Sequence, residues 1–328
     1  MAELIVHEGH DGWLFLTGGT NFVTTLYDRD GGHLPDVNLL RWRDAIVERK
    51  RRCDALGAAY AHVVAPEKLT IYEHKQATPL VDADLAPAIR LQQLFKGDAR
   101  AAGWVDLVWP MRAQRDAVEL YWRSDTHWTP EGSLLAYHRL CDALRLTPNA
   151  DLAARPCTAT HKIMDLGGKF DPPRWEEIRE IDWIAGARRV YANAVVRILE
   201  DPVHGGDIHV GAHAVYRNEH APNDVRILLF GDSFAGVGPD RLTAQLAETA
   251  RELIFVWSSN VDWRLVKRVK PDIVITEIAE RYMALAPNDR FNLRRIQLMQ
   301  LFKARRRDVA ARWRQARAEW RQRARNGA

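Results

Sequence analysis

Two short segments, far apart in the chain, carry the residue types that a serine-based acyl-transfer site needs. The first is Ser-Asp-Thr-His-Trp at positions 124–128, and the second is Gly-Asp-Ser-Phe at positions 231–234. A serine hydroxyl is a weak nucleophile at neutral pH, so it requires an adjacent base, and that base requires a group that holds its tautomer. We therefore predict Ser233 as a nucleophile, His127 as its general base and Asp125 as the residue that orients His127.

The pattern around these segments predicts an α/β fold, because short continuous apolar runs alternate with stretches of helical periodicity. Strands are predicted at 12–16, 58–65, 103–109, 225–230, 253–257 and 272–276, and helices over 37–56, 85–95, 129–144, 241–251 and 261–269. Ligands bind beyond the carboxyl ends of the strands in open parallel sheets. The residues that follow the strand ends, Ser233 among them, are therefore expected to line one crevice.

Two regions depart from this alternation. Residues 147–224 are rich in Pro, Gly, His and Asp, which predicts an irregular, β-rich insertion within a catalytic domain spanning residues 1–300. Residues 301–328 are predicted to form a basic amphipathic helix, because Phe302, Trp313 and Trp320 fall on one stripe among arginines. Such a helix packs on the domain or a partner helix, or it lies on an anionic surface.

The composition argues against several classes of protein. With 47% apolar and 27% charged residues, the 328-residue chain is of ordinary globular composition. Its positive charge is concentrated after residue 302, so no nucleic-acid-binding domain is predicted. There is no apolar run of about 20 residues to cross a bilayer, and the polar, acidic start predicts a cytoplasmic location. The three cysteines lack metal or redox spacing, and no glycine-rich phosphate cradle or other cofactor signal is present.

Three other interpretations stay open from the residues. Hydrolysis by the same three residues would make the protein a carbohydrate acetylesterase. A metal-dependent hydrolase could use the ligand-rich group His204, Asp207, His209 and His213, although its spacing matches no standard site. A non-catalytic, glycan-binding scaffold is compatible with the basic tail and the twelve tryptophans. Those tryptophans are core residues or sugar-stacking surfaces, and the three nearest the predicted chemistry are Trp122, Trp128 and Trp257.

The joint pattern resembles the alginate O-acetyltransferase family, whose catalytic domain is SGNH hydrolase-like. Asp-Thr-His-Trp-Thr at 125–129 is similar to the family's Asp/His motif, and Gly-Asp-Ser-Phe at 231–234 to its nucleophile motif. The order is the permuted one, with the Asp/His pair before the serine. Further similar stretches lie at residues 12–16, 65–72 and 270–282, so the resemblance spans roughly residues 8–300.

This resemblance implies a three-layer SGNH hydrolase-like fold and O-acetylation of a polysaccharide or glycan hydroxyl through an acetyl-serine at Ser233. It implies substrate-site roles for Arg281 and Tyr282, and Trp128 is predicted to join them because it adjoins His127. Lys68 matches the family's first-half motif, but its chemistry is not assigned. The implied partners are a polysaccharide acceptor and an acetyl donor, either a partner acyltransferase or a small acetyl ester. Members of the family are typically periplasmic, whereas this chain shows no leader.

Overall fold

A computed structural model describes residues 5–18, 22–28, 32, 34–95, 102–201 and 208–306 of the chain. The strands are β1 (Val6–Glu8), β2 (Leu14–Leu16), β3 (Ala59–Ala65), β4 (Trp104–Val105), β5 (Cys157–Ile163), β6 (Trp175–Ile181), β7 (Arg188–Ala192), β8 (His213–Arg217), β9 (Asn223–Gly231), β10 (Ala250–Trp257) and β11 (Ile273–Ala279). The helices are α1 (Asp36–Asp54), α2 (Lys68–Ile71), α3 (Pro87–Gln93), α4 (Val108–Gln114), α5 (Pro130–Leu144), α6 (Ala194–Leu199), α7 (Leu242–Thr249) and α8 (Trp263–Val269). Residues 293–306 are also helical.

A mixed seven-stranded sheet in the order β4-β3-β11-β9-β10-β8-β7 forms the centre of the molecule. The strands β4, β3, β11, β9 and β10 run parallel, whereas β8 and β7 continue the sheet in antiparallel pairing. Every residue of β11 is buried, as expected for a strand covered on both faces. α1 and α5 both pack on β3, and α7 packs on β10. The predicted three-layer α/β fold is confirmed.

The predicted insertion at 147–224 divides into two parts. Its first part forms the antiparallel hairpin β5–β6, whose register pairs Cys157 with Ile181 and Ile163 with Trp175. Its second part supplies β7 and β8 to the edge of the central sheet. The segment is therefore rich in β-structure, but half of it belongs to the main sheet.

Two strand predictions were wrong in extent or partner. The strand predicted over residues 103–109 is only Trp104–Val105, because the Asp106 side chain accepts the Val108 N–H (3.0 Å) and begins α4. The strand predicted over residues 12–16 is Leu14–Leu16, and it pairs with β1 in a separate two-stranded sheet. Most of the predicted C-terminal helix, from residue 307 on, lies outside the described residues.

The start of α5 follows directly from its sequence. Thr129 Oγ1 accepts the Gly132 N–H at 3.2 Å, and Pro130 occupies the first helical position. A Cβ at Gly132 would lie 2.1 Å from the Leu120 carbonyl oxygen. The helix therefore begins against the segment that precedes residues 124–128, which fixes the position of that loop.

None of the described helices combines the length and apolar character required to cross a membrane.

Candidate active site

The structure brings the three predicted catalytic residues into one hydrogen-bonded row. His127 Nδ1 lies 2.7 Å from Asp125 Oδ1, and His127 Nε2 lies 2.9 Å from Ser233 Oγ. The same Asp125 oxygen also accepts the backbone N–H of His127 at 2.7 Å. With Nδ1 donating to the carboxylate, Nε2 is free to accept the serine proton, which is the arrangement that general-base activation requires.

Ser233 lies on a tight turn after β9, and hydrogen bonds to the neighbouring carboxyl groups of Asp232 and Glu277 stabilise this turn. The Asp232 carboxylate accepts the N–H groups of Phe234 (3.1 Å) and Ala279 (2.7 Å), and the Asp232 N–H donates to Glu277 (2.8 Å). A Cβ at Gly231 would lie 2.8 Å from Glu277 Oε2, so only glycine fits there. The turn that carries the serine is thereby tied to the end of β11.

The backbone N–H of Ser233 donates to no acceptor within the described parts of the chain. In acyl transfer, such an N–H next to the nucleophile can stabilise the negative oxygen of the tetrahedral intermediate. It is therefore a candidate oxyanion-hole donor.

Burial and charge have opposite effects on the carboxyl groups around the site. Burial opposes ionisation of Asp125, but the hydrogen bonds and charge of His127 outweigh it and hold the pKa of Asp125 well below its usual value. Burial and the nearby Asp232 raise the pKa of Glu277 well above its usual value. Burial, together with the negative charge of Asp125, also raises the pKa of Asp165. Asp125 is thus the carboxylate kept ionised next to the imidazole.

Lys68 supports the loop that carries Asp125 and His127. Its buried ammonium donates to the carbonyl oxygens of Trp122 (3.0 Å) and Arg123 (2.8 Å), and burial lowers its pKa to about 8. The hydroxyl of Tyr72 accepts the Leu120 N–H at 2.9 Å slightly further upstream. Lys68 and Tyr72 therefore hold the segment that leads into the loop.

The three predicted substrate residues lie close to the triad but differ in exposure. Trp128 is 6% exposed, and its ring centroid lies 4.6 Å from that of Phe234. Arg281 is 7% exposed, donates to Glu67 (2.5 Å) and to the Thr126 carbonyl oxygen (3.3 Å), and lies over the Phe234 ring. Tyr282 is 43% exposed. Trp128 and Arg281 are thus buried beneath the site, whereas Tyr282 faces solvent.

Several residues that contact the Asp/His loop were not predicted from the sequence. Asp165 and Glu176 come from the β5–β6 hairpin, within a segment without periodicity. The Asp165 carboxylate accepts the N–H (3.0 Å) and hydroxyl (2.5 Å) of Thr126, and Glu176 accepts the N–H groups of Arg123 (2.7 Å) and Ser124 (2.8 Å). Glu67 lies within the similar stretch at residues 65–72, but its ion pair with Arg281 was not predicted.

In the described part of the chain, one group of His and acidic side chains is compact enough to hold a metal ion, namely Asp125, His127 and Asp165. Their potential ligand atoms are already engaged in the hydrogen bonds described above, which is typical of a hydrogen-bonded triad. Of the alternative metal group predicted from the sequence, His204 and Asp207 lie outside the described residues. His209 packs against Trp257 with ring centroids 4.9 Å apart, and His213 packs against Tyr191 at 5.1 Å.

A parallel α/β sheet with a Ser–His–Asp row beyond its strand ends defines an SGNH hydrolase-like domain. Residues 6–168 match the family model described as "SGNH hydrolase-like domain, acetyltransferase AlgX". This match, together with the relative described below, supports a relationship to the alginate O-acetyltransferase family. Asp125 and His127 lie within the matched residues, and Ser233 lies beyond them.

A curated relative is the probable alginate O-acetylase AlgJ of Pseudomonas aeruginosa, which is 29% identical over 192 residues. That match covers 52% of this chain and 44% of the relative, so the chain spans less than half of that protein's length. Among solved structures, Bacillus cereus PatB1 with a sulfonyl adduct has a TM-score of 0.60 at 13% identity, covering 85% of this chain and 97% of that one. A DHHW family protein from Eubacterium siraeum has a TM-score of 0.58 at 12% identity, covering 85% and 95%. These structural similarities concern the fold.

Proposed function

We propose that the protein is a serine-dependent O-acetyltransferase that acetylates a hydroxyl group of a polysaccharide or related glycan. The observation that carries the proposal is the position of His127, whose two ring nitrogens lie 2.7 Å from Asp125 and 2.9 Å from Ser233. Similarity to the alginate O-acetyltransferase family supports acetyl as the transferred group and a polysaccharide as the acceptor.

In the first half-reaction, Ser233 Oγ attacks the carbonyl carbon of the acetyl donor while its proton passes to His127 Nε2. The ionised Asp125 stabilises the resulting imidazolium, and the Ser233 N–H is placed to bind the oxyanion of the tetrahedral intermediate. The bond between the acetyl carbon and the donor's leaving group then breaks, and the leaving group takes the proton from Nε2. An acetyl ester remains on Ser233.

In the second half-reaction, a sugar hydroxyl oxygen attacks the acetyl carbon and gives its proton to His127 Nε2. The ester bond to Ser233 breaks, and Oγ takes the proton back. The acetyl group ends on the sugar and the enzyme returns to its starting state. If water takes the place of the sugar, the same steps release acetate, so access of the acceptor decides between transfer and hydrolysis.

We infer that Tyr282 meets the acceptor, since its side chain is exposed beside the buried Arg281. Arg281 and Trp128 then act from beneath the site, through the Asp/His loop and Phe234. The donor is a small acetyl ester or an acetylated partner protein, because attack on an acetyl ester needs no bound nucleotide.

The proposal is tested by incubating the protein with p-nitrophenyl acetate, with and without unacetylated uronic-acid oligosaccharides. Intact-protein mass spectrometry should show one added acetyl group, peptide mapping should locate it at Ser233, and the oligosaccharides should become acetylated. Ser233→Ala should abolish both signals. Thr158→Ala, which removes an exposed hydroxyl of β5, serves as the control and should retain them.

Three other outcomes would each point elsewhere. Acetate release without any acetylated sugar would make the protein an esterase. If the wild-type protein never becomes acetylated and Ser233→Ala still binds the oligosaccharide, the protein is a glycan-binding protein. Acetylation of the wild-type protein at another residue would remove Ser233 from the mechanism.

A further inference from the structure

The loop that joins β5 and β6 packs directly on the backbone of the Asp/His loop. The N–H groups of Leu166 and Gly167 donate to the Ser124 carbonyl oxygen at 3.0 and 3.1 Å. A Cβ at Gly167 would lie 2.6 Å from the Arg174 carbonyl oxygen and 3.4 Å from the Ser124 Cβ. This close approach explains why glycine occupies position 167, and it brings Asp165, two residues earlier, to the triad.

Asp165 binds the one residue that lies between the two triad members in sequence. Its carboxylate accepts the Thr126 N–H at 3.0 Å and the Thr126 hydroxyl at 2.5 Å, and its own N–H lies 3.5 Å from Asp125 Oδ2. The Thr126 Oγ1 lies 3.5 Å from His127 Nδ1. Asp165 therefore fixes Thr126 at two atoms while Asp125 and His127 form their own hydrogen bond on either side of it.

We propose that Asp165 is a positioning residue of the active site, which acts through Thr126 to hold Asp125 and His127 in the geometry that activates Ser233. The inference rests on the proposed function in that it assigns the hairpin a part in that reaction. Asp165 touches neither the nucleophile nor the acyl group, so its effect is on alignment.

Two hydrogen bonds from Thr126 to Asp165 restrict the Thr126 backbone more than one would. The side chains of Asp125 and His127 are attached to the same backbone, so their positions are restricted as well. Misplacing a catalytic group by about 1 Å can lower a rate by about 100-fold. The hairpin also holds the two residues before Asp125, because Glu176 accepts the N–H groups of Arg123 and Ser124. The carboxylate that binds Thr126 is that of Asp165.

The test uses the full chain and a readout that does not depend on acetyl transfer. Ser233 is allowed to react with phenylmethylsulfonyl fluoride, and the rate is followed by intact mass in Asp165→Asn, Thr126→Val and the double variant. The low-field NMR signal of the His127 Nδ1 proton, assigned by its loss in His127→Gln, reports the geometry of the Asp125 contact. Glu131→Gln is the control, because it removes the exposed ion pair between α5 and the β6 residue Arg179.

We expect Asp165→Asn and Thr126→Val each to slow sulfonylation by about ten- to hundredfold, and the double variant to be no slower than the worse single one. Residues that act as a unit give such non-additive effects. The His127 signal should shift or broaden in Asp165→Asn. Thr126→Ser, which keeps the hydroxyl, should retain the wild-type rate, and Glu131→Gln should stay within about twofold of it.

Additive effects in the double variant would show that Asp165 does not act through Thr126, and an unchanged rate and His127 signal in Asp165→Asn would overturn the proposal altogether. Equal losses in Thr126→Ser and Thr126→Val would contradict the role of the hydroxyl. Failure of the proposed function is a separate result. In that case the wild-type protein would acetylate no oligosaccharide, while the His127 signal would still report whether Asp165 positions the imidazole.

Discussion

Replacement of Asp125 by Asn removes one negative charge beside His127 and leaves the shape of the side chain unchanged. In the structure a single oxygen, Asp125 Oδ1, accepts both the backbone N–H and the ring Nδ1–H of His127, each at 2.7 Å. An Asn side chain can satisfy both donors only by placing its amide oxygen there. The tautomer of His127 should therefore be preserved in Asp125→Asn, and the variant should lose the stabilising charge alone.

The magnitude follows from the charge that is removed. A carboxylate and an imidazolium about 4 Å apart interact by about 4 kcal/mol at the effective dielectric constant of about 20 that suits such pairs. Since each 1.36 kcal/mol corresponds to tenfold in rate, the kcat for p-nitrophenyl acetate should fall by about 10²- to 10³-fold. Loss of the correct tautomer would cost more, about 10⁴-fold, as it does when the orienting Asp of a serine-protease triad becomes Asn.

Stopped-flow measurement of p-nitrophenolate release distinguishes these cases, with Asp182→Asn, an exposed carboxylate at the end of the hairpin, as the matched control. A loss of 10⁴-fold or more would refute the argument that the shared oxygen preserves the tautomer. A loss of less than tenfold would refute the electrostatic role of Asp125.

Three further predictions concern residues around the triad. Burial lowers the pKa of Lys68 to about 8, so between pH 8 and about 10.4 the unfolded chain holds a proton on Lys68 that the folded protein has lost. The free energy of unfolding should therefore rise with pH in this range by about 1–3 kcal/mol. Urea unfolding at pH 7.5 and 10 should show that Lys68→Met loses this rise, and an identical rise in both proteins would contradict the prediction. Arg281→Met leaves the buried Glu67 without its ion-pair partner and should lower the free energy of unfolding by about 3–5 kcal/mol, measured by thermal unfolding. Adding Glu67→Gln to this variant should restore part of the loss, and a loss below about 1 kcal/mol would argue against a contribution of the buried pair. Gly231→Ala places a Cβ 2.7 Å from its nearest neighbour, so it should lower the free energy of unfolding by about 1–3 kcal/mol and reduce esterase activity. In Gly168→Ala the nearest atom to the new Cβ lies at 3.4 Å, so neither stability nor activity should change.

The sequence predicted the elements that hydrophobic pattern and capping determine. The fully buried run before Ser233 could only be a central strand, and the Thr129–Pro130 start of α5 follows from capping preferences alone. The strand expected over residues 103–109 was too long because Asp106, directly after the short apolar run Trp104–Val105, ends the strand and begins a helix. Apolar periodicity carries no information about such a change from strand to helix. The order of the strands in the sheet could not be predicted either, since the sequence of β11 resembles that of any other buried strand.

The candidate site was predictable where its chemistry depends on residue type. Serine, histidine and aspartate in two compact motifs indicated an acyl-transfer triad, and the structure places those three side chains in contact. The supporting contacts were not predictable, because they join residues with no local signal. Asp165 lies in a segment without periodicity, and its contact with Thr126, 39 positions earlier in the chain, depends on how the hairpin folds back. The sequence left Trp128 open between a core position and a sugar-stacking surface, and the structure buries it against Phe234.

The place of β11 in the sheet has a consequence for biosynthesis. This strand is the last of the sheet to leave the ribosome, yet it lies between β3 and β9, which carry the two halves of the molecule. Before residue 279 has emerged, no strand pairing of the described sheet links β3 to β9, because β11 is the strand that pairs with both. Pairings between distant parts of a chain also form slowly. A reactive serine beside its base should thus arise only late in synthesis, which would protect the growing polypeptide from premature acylation.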